Sequence, residues 1–419
     1  MFSFLTTTTW IFSIVLTIYV FYYFIITLFS FKRITNKKQY APKNRFAIII
    51  AARNEECVIG CLVESLLSQN YPKELFDVIV VPNNCTDNTR DAAAQKGAKI
   101  IDCTIPVKSK GEVLSFALEK IWHSKEHYDA LCVFDADNLV HPNFLLEMNN
   151  ALCSGATVAQ GYRDSKNPYD SAISSCYSIY YWMINRFYNQ SRSALGLSAM
   201  INGSGFMVRM DLLKKLGGWR TVTMTEDIEF TTQCILQGEK VAWVPDAIIY
   251  DEQPLTFAQS WIQRKRWSTG LLQGFSVYFS KLFKSLIKEK RLNCADHMMF
   301  FLAPGIQLIY LLSFLMGLVL NLFYINHQMF PQNTIFYKIL VSLDCSYLTT
   351  VAMAILIILI EKKKNRKLIK GIVGYWLFIM SWIPINILCF FKKSLVWNEI
   401  KHTRSIELKE IAYAEKSIE

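Results

Sequence analysis

A chain of 419 residues has room for one sizeable α/β domain and several membrane helices. Hydrophobic residues make up 52% of it, too many for an ordinary soluble enzyme. The net charge of +11 gathers beside apolar stretches, as at cytoplasmic loops and lipid headgroups, and no nucleic-acid motif accompanies it, so membrane lipids rather than nucleic acid are the expected partner. The 11 cysteines are scattered without a CxxC pair and read as reduced thiols of a cytosolic core.

Residues 10–31 are apolar, aromatic and uncharged, long enough to span a bilayer. Lys32, Arg33, Lys37, Lys38, Lys43 and Arg45 follow, on the wrong side for a signal peptide, and no small-residue cleavage site is present. The N-terminus is therefore expected outside. From about 46 to 250, strands and helices alternate. Strands are expected at 46–51, 77–81, 99–101 and 130–134, and helices at 56–68, 88–96 and 111–122. Such alternation implies a parallel sheet with helices on both faces and ligands beyond the carboxyl ends of the strands. The loops starting at Arg53, Pro82 and Asp135 belong to that edge.

Beyond the domain, residues 257–279 interleave aromatic and cationic side chains (Trp261, Arg264, Arg266, Trp267, Phe275, Tyr278), which suits a helix in the headgroup plane or a plain amphipathic one. A second interfacial helix is expected at 292–303, broken at Pro304-Gly305, then apolar spans at 306–325, 339–360 and 371–391. Residues 326–337 carry no charge, as an outside loop would. Lys362, Lys363, Lys364, Arg366, Lys367 and Lys370 mark an inside loop. Four full crossings would put the tail outside, yet Lys392, Lys393, Lys401, Arg404 and Lys409 argue for inside. The break at Ser381-Trp382-Ile383-Pro384 resolves the conflict if the last span is re-entrant or interfacial. The expected organisation is a membrane helix at 1–31, a catalytic domain at 45–255, interfacial helices at 256–303, membrane helices at 304–391 and a cytosolic tail at 392–419.

Three groups carry chemistry. Asp135 and Asp137 stand at alternate positions after an apolar strand, so two hard carboxylates can straddle Mg²⁺ or Mn²⁺ while diphosphate oxygens fill the remaining sites. Glu226 and Asp227 follow Thr225; Asp227 suits a general base drawing a proton from an acceptor hydroxyl, with Glu226 raising its pKa. In Gln263-Arg264-Lys265-Arg266-Trp267, an arginine can clamp a phosphate, Gln263 can donate to it, and Trp267 can stack on a pyranose. Lys110-Gly111 can bring an ammonium to an anion, the polar loop from Asn83 to Thr89 can bind a base, and Gly203-Ser204-Gly205 allows close approach of a ligand. Each group taken alone also fits a plain structural role: a capping aspartate, a Thr225 N-cap, an interfacial anchor or a turn.

In chain order, Ala52-Arg53-Asn54-Glu55-Glu56, Asn84-Cys85-Thr86-Asp87-Asn88-Thr89, Lys110-Gly111, Asp135-Ala136-Asp137, Gly203-Ser204-Gly205, Thr225-Glu226-Asp227 and Gln263…Arg266-Trp267 resemble a membrane-embedded family 2 glycosyltransferase, the group of cellulose, chitin and hyaluronan synthases. The resemblance covers roughly residues 45–275, and Trp397…His402-Thr403-Arg404-Ser405 resembles a tail motif of bacterial members. It implies a GT-A (Rossmann-like) α/β domain with membrane and interfacial helices, a UDP-sugar donor, Mg²⁺ or Mn²⁺, and inversion in a single displacement at the plasma membrane. By the resemblance, Glu55 and Asp87 lie near the uridine, Lys110 and Asp135 contact the diphosphate, and Asp137 binds the metal. Asp227 is then the base, and Gln263, Arg266 and Trp267 hold the diphosphate and the acceptor end. One departure is Asn83, where the family usually has an aspartate; an amide oxygen still accepts from uracil N3–H. The tail after Phe391 is too short for a cyclic-dinucleotide-binding domain. The function that fits best is a processive synthase that elongates a β-linked exopolysaccharide and helps export it, with accessory export subunits as further partners. The alternatives are a transferase that adds one sugar to a lipid, and a non-catalytic polysaccharide-binding or export subunit.

Overall fold

The computed structural model describes residues 2–32, 38–326, 333–391 and 404–411. The basic residues at 33–37, the loop at 327–332, Lys392, Lys393, Lys401, and Trp397, His402 and Thr403 of the tail motif lie outside the described residues. The first apolar stretch forms α1, Phe2–Leu28. The α/β domain then runs β1 (Phe46–Ala52), α2 (Ile59–Leu67), β2 (Phe76–Pro82), α3 (Thr89–Gln95), β3 (Lys99–Ile100), α4 (Lys110–Trp122), β4 (Ala130–Asp135), β5 (Leu139–Val140) and α5 (Phe144–Cys153). It continues with β6 (Val158–Ser165), α6 (Ala172–Met183), α7 (Ser191–Ala194), β7 (Phe206–Arg209), α8 (Met210–Lys215), α9 (Glu226–Leu236) and β8 (Val241–Asp251).

The strands form one eight-stranded sheet in the order β3-β2-β1-β4-β7-β6-β8-β5. Along β1, Ala47 and Ile49 enter one buried cluster, and Phe46, Ile48, Ile50 and Ala52 enter another. Both faces are thus covered, which is why the strand is apolar throughout instead of alternating. β3, β2, β1 and β4 pair in parallel as expected. The second half departs from a parallel sheet: β7 is antiparallel to β4 and β6, and β5 to β8. The reversal has a consequence for the site. An antiparallel β7 starts where β4 ends, so the turn leading into it, Gly203-Ser204-Gly205, lies beside Asp135.

Among the described residues, four segments are long and apolar enough to cross a membrane: Ser3–Phe31, Ala303–Leu322, Ile339–Ile360 and Arg366–Phe391. They lie on α1, α12 (Ala303–Asn326), α13 (Asn333–Ile360), and the pair α14 (Ile369–Met380) and α15 (Trp382–Phe391), interrupted at Ser381. Before them come α10 (Phe257–Glu289), ten residues longer than the aromatic stretch suggested, and α11 (Leu292–Phe301). The break after α11 falls just before Pro304, which sits in the first turn of α12, where a missing N–H costs nothing.

The apolar segments are tied to the domain by polar contacts. On α11, Asp296 accepts from Tyr22 of α1 and pairs with Arg192 of α7 at 2.9 Å. After α13, Glu361 meets Arg186 at 2.6 Å and Tyr162 at 2.8 Å, and Lys363 meets Asp164 at 2.7 Å. α14 lies so close to α6 that a Cβ at Gly371 would collide with the Ser175 Cβ. In the tail, Arg404 N–H reaches Glu252 at 3.2 Å, and Lys166 donates to Arg404 O at 2.9 Å. Ile411 packs with Leu139 and Tyr250. The residues just before the last apolar segment and those at 404–411 therefore both meet the α/β domain.

Candidate active site

β4 and β8 end at the same sheet edge, and each ends in an acid. This gathers Asp135, Asp137 and Asp251, which bring one carboxylate oxygen each to within 4.8 Å of one another. Asp137 and Asp251 are buried. Asn138 bridges them through its amide, donating to Asp251 Oδ1 at 2.7 Å and to Asp137 Oδ1 at 3.4 Å. Two cations stand against the cluster. Lys110 opens α4, capped by Ser109, and its Nζ lies 2.5 Å from Asp135 Oδ1 and 2.7 Å from Gly203 O. Arg163 of β6 donates to Asp251 Oδ2 at 3.0 Å and to Asn202 O.

The turn before β7 closes the site from above. Ser204 Oγ accepts from Asp135 N–H at 3.0 Å and donates to Asn138. Gly203 has φ +84°, and a Cβ there would lie 3.5 Å from Asp227 Oδ2, 3.6 Å from Arg163 Nη1 and 3.9 Å from Asp135 Oδ2. A side chain at this one position would thus meet Asp135, Arg163 and Asp227 together, and only glycine occupies it without strain.

Asp227 lies in the first turn of α9 and accepts from Ile228 N–H at 2.8 Å. Thr225, at the N-cap position, makes no capping bond, so the plain helix-cap role is not what this segment serves. Burial, then Glu226, push the Asp227 carboxyl up to about 7 against the pull of Ile228 N–H, Lys110 and Arg163. Asp135 goes the other way: burial would raise it, but Lys110 and Arg163 hold it below the usual carboxylate range. Lys110 is kept protonated, because Asp135, Glu226 and Asp227 outweigh its burial. Two neighbouring acids with opposite shifts suit different tasks, one binding a cation and one accepting a proton.

At the neighbouring strand ends, the loops after β1 and β2 are laced together. Glu55 N–H donates to Thr89 Oγ1 at 2.8 Å, and Thr89 donates to Asp87 Oδ1 at 2.5 Å. Asp87 Oδ2 accepts from Glu56 N–H at 3.1 Å. Burial raises Asp87, but the Thr89 and Glu56 donors outweigh it and lower its pKa. Asn83 donates to Ala52 O at 2.9 Å.

On α10 the cationic-aromatic residues divide. Arg266 lies close enough to the carboxylates that its charge helps lower Asp135. A Cβ at Gly270 would fall 2.5 Å from Thr225, so α10 presses directly on the start of α9. Trp267 packs with Tyr177, Tyr180, Tyr181 and Trp382. Arg264 corrects the sequence expectation. It is fully buried, and Nη1 donates to Phe378 O and Ser381 Oγ, each at 2.7 Å, at the interruption between α14 and α15. Residues two apart on a helix point about 200° apart, so Arg264 and Arg266 do not face one phosphate together.

A family model described as "Glycosyltransferase like family 2" matches residues 42–270, more than half of the chain. The chain belongs to glycosyltransferase family 2. It is 26% identical over 253 residues to the beta-monoglucosyldiacylglycerol synthase of Nostoc sp. (strain PCC 7120), covering 58% of this chain and 53% of that one. It is 23% identical over 377 residues to the poly-beta-1,6-N-acetyl-D-glucosamine synthase of Staphylococcus epidermidis, covering 87% and 85%. The relatives at 26–28% identity are spanned over only 52–60% of their length. The structure resembles that of the mannosyltransferase PcManGT of Pyrobaculum calidifontis in complex with GDP-Man and Mn²⁺, with a TM-score of 0.61 at 15% identity, covering 91% of this chain and 99% of that one. The domain is thus a GT-A fold with apolar helices attached.

Within this family 2 enzyme the expected residues fall into three groups. Lys110, Asp135, Asp137, Gly203, Ser204 and Asp227 converge, with Glu226 and Arg266 near enough to act on their charges. Glu55, Asn83 and Asp87 share the loops at the neighbouring strand ends. Gly205 serves packing, since its Cβ would meet Ile249 at 2.8 Å. Asp251 and Arg163 were missed. Asp251 had a signal, because residues 247–250 are an apolar run ending in an acid, as residues 130–134 are before Asp135. Arg163 had none, being one cation inside a strand.

Proposed function

We propose that this enzyme transfers sugar from a UDP-sugar to the growing end of a β-linked polysaccharide at the cytoplasmic face of the plasma membrane. The convergence of Asp135, Arg163 and Asp227 around Gly203 carries the transfer chemistry. Asp137, Asp251 and Asp135 fit a divalent cation: they offer hard oxygens, and the site's carboxylates outnumber its cations. Mn²⁺ or Mg²⁺ held there would offset charge on the donor diphosphate. Lys110 adds a fixed positive charge beside Asp135, and Arg266 approaches from α10. Asp227 takes the acceptor hydroxyl proton as that oxygen bonds to the anomeric carbon and the bond to the diphosphate breaks. Attack from the face opposite the leaving group inverts the centre.

A polymer acceptor is favoured because the match to the polysaccharide synthase runs through the apolar helices, whereas the glucolipid synthase match covers 58% of the chain. That glucolipid relative supports the second reading, one sugar added to a lipid. Export of the product along the membrane helices, with or without accessory subunits, belongs to the first. The test incubates purified full-length protein with labelled UDP-glucose, UDP-N-acetylglucosamine or GDP-mannose and Mn²⁺ or Mg²⁺. A high-molecular-weight product from a UDP-sugar is expected. A single lipid-soluble product would establish the second reading, and turnover of GDP-mannose alone would overturn the donor.

A further inference from the structure

The chain entering α9 is an irregular loop, Arg220 to Met224, with no ladder or helix to satisfy its main chain. Side chains from two helices do so instead. Glu229 of α9 accepts from Val222 N–H at 2.8 Å and from Thr223 N–H at 2.6 Å through one oxygen. Its other oxygen accepts from the Tyr278 hydroxyl of α10 at 2.7 Å. Gln233 of α9 donates to Arg220 O at 2.6 Å and to the Tyr278 oxygen at 3.0 Å. Gln273 of α10 accepts from Met224 N–H at 2.9 Å. Just before the loop, Trp219 stacks on Phe230 of α9 at 4.1 Å. Loops are usually the mobile parts of a fold, but this one is tied to α9 and α10 at nearly every residue.

The tied loop stands between two parts of the site. A Cβ at Gly111, next to Lys110, would collide with Thr221 Oγ1 and stand 3.6 Å from Glu226 Cβ. At its other end the loop runs through Thr225 into Glu226 and Asp227. It therefore spaces the start of α4, which brings Lys110 to Asp135, from the start of α9, which carries Asp227. Glu229 is buried, and its three donors, two backbone N–H groups and a phenol, are uncharged. Burying a carboxylate is costly unless hydrogen bonds hold its charge. An apolar side chain would pack there without that cost, but it would release Val222 and Thr223.

We propose that Glu229 is a positioning residue for the transfer: it fixes residues 220–224 as a wall between α4 and α9, and so holds Asp227 at its working distance from Lys110. This rests on the transfer reading above and adds Glu229, with Gln233, Gln273 and Tyr278 as its braces. Glu229 itself touches neither donor nor acceptor and acts through the loop.

The test uses full-length protein in lipid nanodiscs. The rate is read on whichever of UDP-glucose, UDP-N-acetylglucosamine and GDP-mannose the wild type turns over, and binding on the matching nucleoside diphosphate with Mn²⁺. Glu229→Ala is expected to lower kcat about 100-fold, the effect of a shift of about 1 Å. Nucleoside diphosphate affinity and the KM for the sugar nucleotide should stay within about twofold of wild type. Glu229→Gln keeps an oxygen for both N–H groups and should recover most of the rate. Gln273→Ala releases Met224 alone and should lower kcat about tenfold. Wild-type kcat in Glu229→Ala, equal loss of kcat and diphosphate affinity, or a Glu229→Gln no faster than Glu229→Ala would overturn the positioning role. Should Glu229→Ala fail to fold, Gln273→Ala decides, and wild-type kcat there overturns the proposal. An active wild type indifferent to these substitutions sinks the proposal alone. A wild type that turns over none of the three donors sinks the transfer reading and the proposal with it.

Discussion

Asp227 and Asp135 are the same side chain in neighbouring positions, and their surroundings divide the work between them. Asp135 has Lys110 at 2.5 Å, whereas Asp227 has burial and Glu226. A base works only when ionised, so transfer should rise with pH through about 7 and fall below it. Asp227→Asn should abolish transfer and leave UDP binding intact; lost UDP binding in that variant would count against the base assignment. Stability changes in the opposite sense. A carboxyl raised above its unfolded value of about 3.9 stabilises the fold at low pH, and this contribution fades as pH rises toward the folded value. The melting temperature of Asp227→Asn, relative to wild type with chelator present, should therefore climb between about pH 4 and about pH 7. A flat difference would mean Asp227 is not perturbed. Asp251→Asn should weaken Mn²⁺ binding about 10- to 100-fold, read by titration of the metal alone. Unchanged Mn²⁺ affinity would remove Asp251 from the site. At this scale the sequence was legible where spacing carries the information. Asp135 and Asp137 share a strand end; Arg264 was grouped with Arg266, and only its burial against Phe378 and Ser381 sets it apart. Arg163 was not legible, because only the pairing of β6 with β8 brings it to Asp251.

Helix α9 carries the proposed base and α10 carries Arg266 and Trp267, so on that proposal catalysis depends on how these two elements meet. They meet at Gly270, where a Cβ would lie 2.5 Å from Thr225 Oγ1 and 2.8 Å from Thr225 N. Gly270→Val must push the helices apart, and a shift of about 1 Å costs on the order of 100-fold in rate. The variant should bind UDP nearly normally and turn over slowly. Thr225→Ala in the same chain should return part of the rate, since Thr225 Oγ1 has no hydrogen bond to lose. Normal turnover in Gly270→Val would show that the contact is slack. The parallel half of the sheet was readable because β1, β2 and β4 are continuous apolar runs bounded by turns. The reversed half was not: β5 has two residues and β7 four, and their directions follow from distant partners such as Phe206 on Val133.

The apolar spans were visible in composition, but the side on which the tail emerges is set by contacts across the whole molecule. Lys363, after α13, meets Asp164, and Arg404, in the tail, meets Glu252, so the residues before α14 and those at 404–411 both contact the α/β domain. That favours a re-entrant or interfacial α14–α15 pair over a crossing, and it accounts for the basic tail. Ser405 provides a direct check, because its Oγ lies 3.3 Å from Cys61 Sγ on α2. In Ser405→Cys, two sulfurs replace that pair at a separation a disulfide closes with a small movement. Mild oxidation of membranes should cross-link residues 61 and 405, seen as a mobility shift that reductant reverses and that Cys61→Ser abolishes. A tail on the far side of the bilayer would keep the two sulfurs a membrane thickness apart, roughly 30 Å. In that case no cross-link would form, and a membrane-impermeant maleimide applied from the side opposite the catalytic domain would label the thiol introduced by Ser405→Cys instead.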